Sequence, residues 1–280
     1  MLSKKTKAAR HTGSAVLRAL IWGSAAVTAA LLVTLVVYIA VRGVPQLRPS
    51  LFSLTYTSEN LSMLPALLNT VTMTVLTLIL AVPAGVFAAV YLTEFAPHGS
   101  RIVRIIRMAA ETLSGIPSIV YGLFGFLAFV VAARWYFSLA AGVLTLAVMV
   151  LPTILRTAEE AIIAVPDSLR EGSLALGASR VRTIFKIVLP AASRGILSGV
   201  ILSIGRIVGE SAALIFTAGT SPEIALGPFD SARTLAVHMY CLFAEGLHTN
   251  EAYATGFVLL LLAADINAAS GALAKRLSDV

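Results

Sequence analysis

Charge is scarce in this chain. Asp, Glu, Lys and Arg make up 12% of its 280 residues, while 58% are hydrophobic. An ordinary soluble domain carries about 25% charged residues. So little polar surface cannot cover a water-exposed fold, and the mean hydropathy of +0.90 agrees. Lipid must be the solvent for much of this surface. Cysteine is nearly absent: the single Cys241 excludes an internal disulfide and a thiolate metal cluster. His11, His98, His238 and His248 are scattered, without metal-ligand spacing. No G-x-x-x-x-G-K-[ST] phosphate loop, H-E-x-x-H or Ser/His/Asp set occurs. The chain therefore carries no ATP site of its own and no catalytic constellation. No metal or cofactor is expected, and no low-complexity tract or internal repeat stands out.

Long apolar runs are present instead. A transmembrane helix needs about 20 mostly apolar residues. Six stretches qualify: Leu17–Val41, Ala66–Thr93, Ser114–Ala133, Phe137–Leu155, Ile196–Gly219 and Ala252–Leu273. Only helices and closed barrels satisfy the backbone in lipid, and a barrel would show segments of about 10 alternating residues. The expected fold is an all-α integral membrane protein with about six transmembrane helices. Lys4, Lys5, Lys7 and Arg10 precede the first run, as in a signal peptide, but a signal core spans only about 7–15 residues. This run is longer and lacks a clear cleavage site. It reads as a retained span over 17–41 behind a tail, 1–16, with a five-helix core over 66–275.

The net charge is +7, and it is placed unevenly. With the N-terminus in the cytoplasm, sixteen basic residues fall on that side: Lys4, Lys5, Lys7, Arg10, Arg18, Arg101, Arg104, Arg107, Arg156, Arg170, Arg180, Arg182, Lys186, Arg194, Lys275 and Arg276. Arg42, Arg48, Arg134 and Arg233 fall outside, and Arg206 lies within a span. Positive charge marks cytoplasmic loops, so both termini are expected there. The basic balance is a topology signal and gives no reason to expect nucleic acid as a partner.

The longest cytoplasmic stretch, about 156–194, contains VPDSLREGSLALGASRVRTIFKIVLPAA. Ser168 and Glu171 have capping-box spacing. Gly177 can end a first short helix in the left-handed conformation, and Ser179 can cap a second. Val181, Ile184, Phe185 and Val188 then form one apolar stripe, and Pro190 closes the unit. Glu159 and Glu160 can pair with Arg156 or with the basic second helix. The fifth span reads GILSGVILSIGRIVGESAALIFTAG. Arg206 and Glu210, four residues apart, should share a helix face. A charge in mid-membrane costs at least about 2.5–3.5 kcal/mol. The two are either a mutual ion pair or part of a solute pathway, or both. Arginine suits an oxyanion because its planar fork stays charged. Gly205, Gly209, Ser211 and Ala212 allow close helix approach or room for a small ion. Asn69 and Thr70 line a pathway or bond a neighbouring helix. Gly115, Pro117, Ser118, Tyr121 and Gly122 read as a broken helix start or ordinary packing. Asp265 and Asn267 are polar in the last span, with no role evident.

Glu171, Gly177, Ile187, Leu189 and Pro190 stand at the spacing of the signature loop of binding-protein-dependent ABC importer permeases, which this chain resembles. It departs at Gly172 and Ser173, where alanines are usual. The runs GRIVGESAALIFTAG, GIPSIVYGLFGF and LPTILRTAEEAI are similar to those of phosphate-specific, PstA-type permeases, except that Ala213 replaces a usual proline. The resemblance implies a type I ABC importer permease fold in the inner membrane, with Arg206 and Glu210 on the substrate pathway and the 156–194 loop docking on an ATPase. It implies as partners a PstC-type permease, PstB-type ATPase subunits and a PstS-type extracytoplasmic phosphate-binding protein. Another oxyanion, such as phosphonate, sulfate or molybdate, is the alternative substrate, and a non-transport membrane scaffold the rival class.

Overall fold

Hydrocarbon offers no partner to a backbone N–H or C=O, and the computed structural model meets that demand with helices. It describes the backbone of residues 2–97 and 99–276, and side chains from residue 17 to 272 except 98 and 270. The side chains of Lys4, Lys5, Lys7, Arg10, His11, Lys275 and Arg276, and all of His98, lie outside the described residues. No strand occurs among those that are described.

The first helix, α1, is Leu2–Gly43. After two short 3-10 turns comes α2, Leu64–Val90, which widens into a π turn at Tyr91–Phe95. Helix α3, Arg101–Ser114, is followed at a 105° bend by α4, Ser118–Gly125, and a π stretch to Ala132. Helix α5 is Leu139–Ile163. The long loop carries α6, Asp167–Ala175, and α7, Arg180–Thr183. A π stretch, Ile184–Val188, leads into α8, Leu189–Val208, and α9 is Ala212–Thr217. Helix α10, Leu235–Glu245, and α11, Thr249–Arg276, complete the order.

Among the described residues five helices are long and apolar enough to cross a membrane, and a sixth is reached when α3 and the bent segment that follows it are taken as one span. Helix α5 sits at the centre: 61% of its apolar window is buried, against none of α1's. Its buried face, including Leu146, Met149, Val150 and Ile154, meets Met73 of α2 and Leu214 of α9. Membrane helices gain little hydrophobic drive from meeting each other, so close contact relies on small residues. Gly195 and Gly199 of α8, one turn apart, supply it. A Cβ on Gly199 would stand 1.8 Å from Thr157 Oγ1, and one on Gly195 2.4 Å from Ala161 Cβ. Several hydroxyls in the spans bond back into their own helices, as Thr70 to the Ala66 carbonyl at 2.7 Å and Ser203 to Gly199 at 2.9 Å.

Two helices lie in segments that read as loops in the sequence. Helix α3 mixes three arginines with its apolar residues, and α10 is too short to span, so run length passes over both. Thr234 caps α10 by accepting from Val237 N–H, and Gly246, at φ +70°, ends it. Asn69 and Thr70 bond the start of α10 and the segment before it: Asn69 spans the Glu223 carbonyl (2.8 Å) and Ala225 N–H (3.0 Å), and Thr70 Oγ1 accepts from Leu235 N–H (2.8 Å).

Replacing Gly199 by Leu is expected to prise α8 from α5. Overpacking costs about 1–3 kcal/mol where a core can adjust, and here the helix itself must move. The denaturation midpoint of the purified protein should fall clearly. Gly205→Ala, where a Cβ meets nothing within 4 Å, should leave it unchanged. Equal midpoints for Gly199→Leu and wild type would remove this contact from the fold.

Candidate functional site

The fifth span is not one helix. Helix α8 stops at Val208, and the chain restarts as α9 at Ala212. Arg206 therefore sits in the last turn of α8, where unpaired carbonyls favour a cation. Glu210 lies just ahead of α9 and accepts from Ala213 N–H at 3.0 Å through Oε1, an anion at a helix start. The expectation that both share one helix face is corrected: the helix ends between them, and no ion pair joins them. The cause is local. Ala213 keeps the N–H that a proline there would lack, and the Glu210 carboxylate takes it.

Glu210 is buried at 8% exposure, while Arg206 is half-buried. Arg206 has no hydrogen bond or ion pair among the described residues, and its charge reaches Tyr121 of α4. Gly205 meets nothing within 4 Å and Gly209 only its own helix. Both glycines are exposed, so neither packs against a second helix within the chain. Tyr121 donates to the Leu113 carbonyl at 2.7 Å, bridging the α3–α4 bend. A Cβ on Gly122 would lie 2.7 Å from Ala213 Cα. The two broken spans thus touch backbone to backbone beside Arg206. The broken start expected at Gly115–Gly122 is present, as the bend.

The basic end of the bundle is built around another arginine. Arg170 of α6 reaches Glu94, at the end of span two, through Nε (3.1 Å) and a terminal nitrogen (3.0 Å). It also donates to the carbonyls of Val165 (2.6 Å) and Ile162 (2.8 Å) and to Asp167 (3.0 Å). Arg180 donates to the Glu94 carbonyl and lies over the Phe95 ring at 5.4 Å. Glu94 was missed in the sequence; its signal was a lone carboxylate closing an apolar run. Gly177 turns the chain at φ +83° and Ser179 caps α7 by accepting from Arg182 N–H, both as expected. Ser173, one of the departures from the usual alanines, bonds Thr183 across the turn at 2.9 Å.

Three details of the loop differ from the reading of the sequence. No capping box forms: Pro166 is the cap position, Ser168 lies inside α6, and Glu171 is exposed. The stripe splits, with Ile184 and Val188 buried but Val181 and Phe185 54% and 47% exposed. Pro190 closes nothing. The helix runs on from Arg180 to Val208, and the Leu189 N–H bonds the Ile184 carbonyl five residues back, a wide turn just ahead of the proline. Ile187 and Leu189 are half-buried. Glu160 pairs with Arg156 at 3.2 Å as expected, but Glu159 pairs with Arg107 of α3 at 2.5 Å. A cleft of about 260 Å³ opens between these groups. At the opposite end Arg233 donates to the Thr220 carbonyl at 2.7 Å and contacts His238 Nδ1 at 3.2 Å. Burial, with the Arg233 charge adding to it, pushes His238 down to about 4 and keeps it neutral.

Residues 81–279 match the family of binding-protein-dependent transport system inner membrane components. The chain belongs to that family. A probable ABC transporter permease protein of Bacillus subtilis, YqgI, is 38% identical over 253 residues, covering 83% of this chain and 84% of its own. The phosphate transport system permease protein PstA 1 of Mycobacterium tuberculosis is 36% identical over 195 residues, covering 69% and 64%. Among solved structures, a chain of a bacterial alginate ABC transporter superposes with a TM-score of 0.71 at 16% identity, covering 93% of this chain and 94% of that one. A chain of the MetNI methionine ABC transporter gives 0.60 at 19%, covering 86% and 97%. The permease has the type I ABC importer fold.

Breaking one partner of a buried ion pair costs about 3–5 kcal/mol, somewhat less where water reaches it. Arg170 is 18% and Glu94 11% exposed in their side chains. Arg170→Met should therefore loosen α6 and α7 from span two and raise amide hydrogen exchange over residues 167–183 at least tenfold. Unchanged exchange there would show that the loop is held by apolar contacts alone.

Proposed function

We propose that this permease translocates inorganic phosphate inward across the cell inner membrane, with Arg206 as the transient contact for the anion. One observation carries the site: a guanidinium without a protein partner, at a break in a membrane helix, beside open space. Transporters commonly place solute sites at such discontinuous helices. A guanidinium binds phosphate oxygens in parallel pairs. Glu210 acts on the same pathway by fixing the start of α9, which holds the break in place. The substrate comes from the relatives named as phosphate permeases.

Both termini lie in the cytoplasm in this reading, as the basic bias requires. The 156–194 loop then faces the cytoplasm, with Glu171, Gly177, Leu174 and the 90% exposed Leu176 turned outward. That surface docks on a separate PstB-type ATPase, while Ile187, Leu189 and Pro190 join it to span five. A PstC-type permease completes the pathway and a PstS-type binding protein delivers phosphate from outside. The chain itself performs no covalent chemistry.

The test is ATP-driven uptake of radiolabelled phosphate into vesicles holding the assembled complex. A hydrogen bond to a charged group contributes about 1.5–3 kcal/mol, so Arg206→Gln should cut uptake by about tenfold or more with the subunits still associated. Normal uptake in that variant would remove Arg206 from the pathway. If wild type ignores phosphate but another oxyanion stimulates its ATPase, the architecture stands and the substrate falls.

A further inference from the structure

Helix α3 has three faces. On one, Val103 is buried against Leu92 and Leu155, and Arg107 pairs with Glu159. The second carries Ile102 and Ile105, 67% and 63% exposed, with Ile106 and Leu113 beside them. The third carries Arg101 and Arg104, one turn apart, exposed and with no ion pair among the described residues. Water would not cover the isoleucines, and the bundle does not.

The bend fixes where they lie. Span three stands at 105° to α3, so if span three crosses the bilayer, α3 runs close to its plane. That span holds 8 residues in α4 and 7 in its π stretch, about 22 Å at roughly 1.5 Å per residue. A hydrocarbon core of about 30 Å exceeds it by about 8 Å. In-plane amphipathic helices sit about 5–10 Å into the headgroup boundary, a depth of the same order as the shortfall of span three.

We infer that α3 is an interfacial helix that binds anionic phospholipid. Ile102 and Ile105 lie among acyl chains, and Arg101 and Arg104 hold the headgroup phosphates. Two neighbouring guanidiniums without a carboxylate leave a local excess of positive charge, which selects anionic over zwitterionic lipid. The inference does not depend on which solute is carried.

The assembled complex is placed in nanodiscs, with bimane on an Ile105→Cys chain in which Cys241 is replaced by Ser. Spin-labelled phosphatidylglycerol and phosphatidylcholine, with the nitroxide at the same acyl position, are compared as quenchers. Both should quench, and phosphatidylglycerol more strongly, by about fivefold in local enrichment per arginine. Arg101→Gln with Arg104→Gln should abolish the preference, and so should about 1 M salt, which shortens screening to roughly 3 Å. No quenching would mean that protein covers this face, which overturns the proposal. Equal quenching by the two lipids overturns the headgroup site. Should the double variant fail to assemble, a preference in the parent complex that survives salt overturns it equally.

Discussion

An unpaired backbone polar group in hydrocarbon costs several kcal/mol, and both interruptions of the spans are shaped by that cost. At the α3–α4 bend, Tyr121 reaches back to the Leu113 carbonyl, while Gly115 and Ile116 N–H groups bond Thr112 and Leu113. At the α8–α9 break, Glu210 takes the Ala213 N–H and its own N–H bonds the Ile207 carbonyl. In each case a side chain replaces a missing turn of helix. The two repairs are adjacent because Gly122 lets α4 approach Ala213. Arg206 is the one charged group of this region left without such a partner, and that separates it from Glu210, whose local bond is structural.

At the basic end the same constraint works through arginine. At the C-terminal end of α5 the Ile162 carbonyl and, two residues past the helix, the Val165 carbonyl accept from Arg170. The same guanidinium holds Glu94, so one side chain ties the ends of spans two and four to the first helix of the loop. Lysine could not do this: three donors on a point charge do not reach two carbonyls and two carboxylates in one plane. A loop joined to two spans by a planar fork moves with them, and the continuous helix from Arg180 to Val208 joins it to the third. The loop, the ends of spans two and four and the helix that carries Arg206 in its last turn are therefore one connected unit.

Much of this was legible because lipid imposes a simple rule on composition. Run length found the spans, and Gly177 and Ser179 announced the loop by local conformation alone. What escaped depended on contacts across the chain. Glu159 had an attractive partner nearby in Arg156, yet pairs with Arg107, 52 residues away, because α3 folds under α5. Four-residue spacing implied a shared face for Arg206 and Glu210, and that inference holds only while the helix continues. Gly209 was the warning sign. Helix α3 was hidden because its three faces average to no clear apolar run.

Two charged side chains of the spans have no partner to neutralise them among the described residues. Arg206 lacks a protein partner, and Asp265 lies exposed near the end of the last span. A charge at the bilayer centre is opposed by at least about 2.5–3.5 kcal/mol, so Arg206 must face water or another protein. Open space beside Gly205 and Gly209 fits water and a small ion at Arg206.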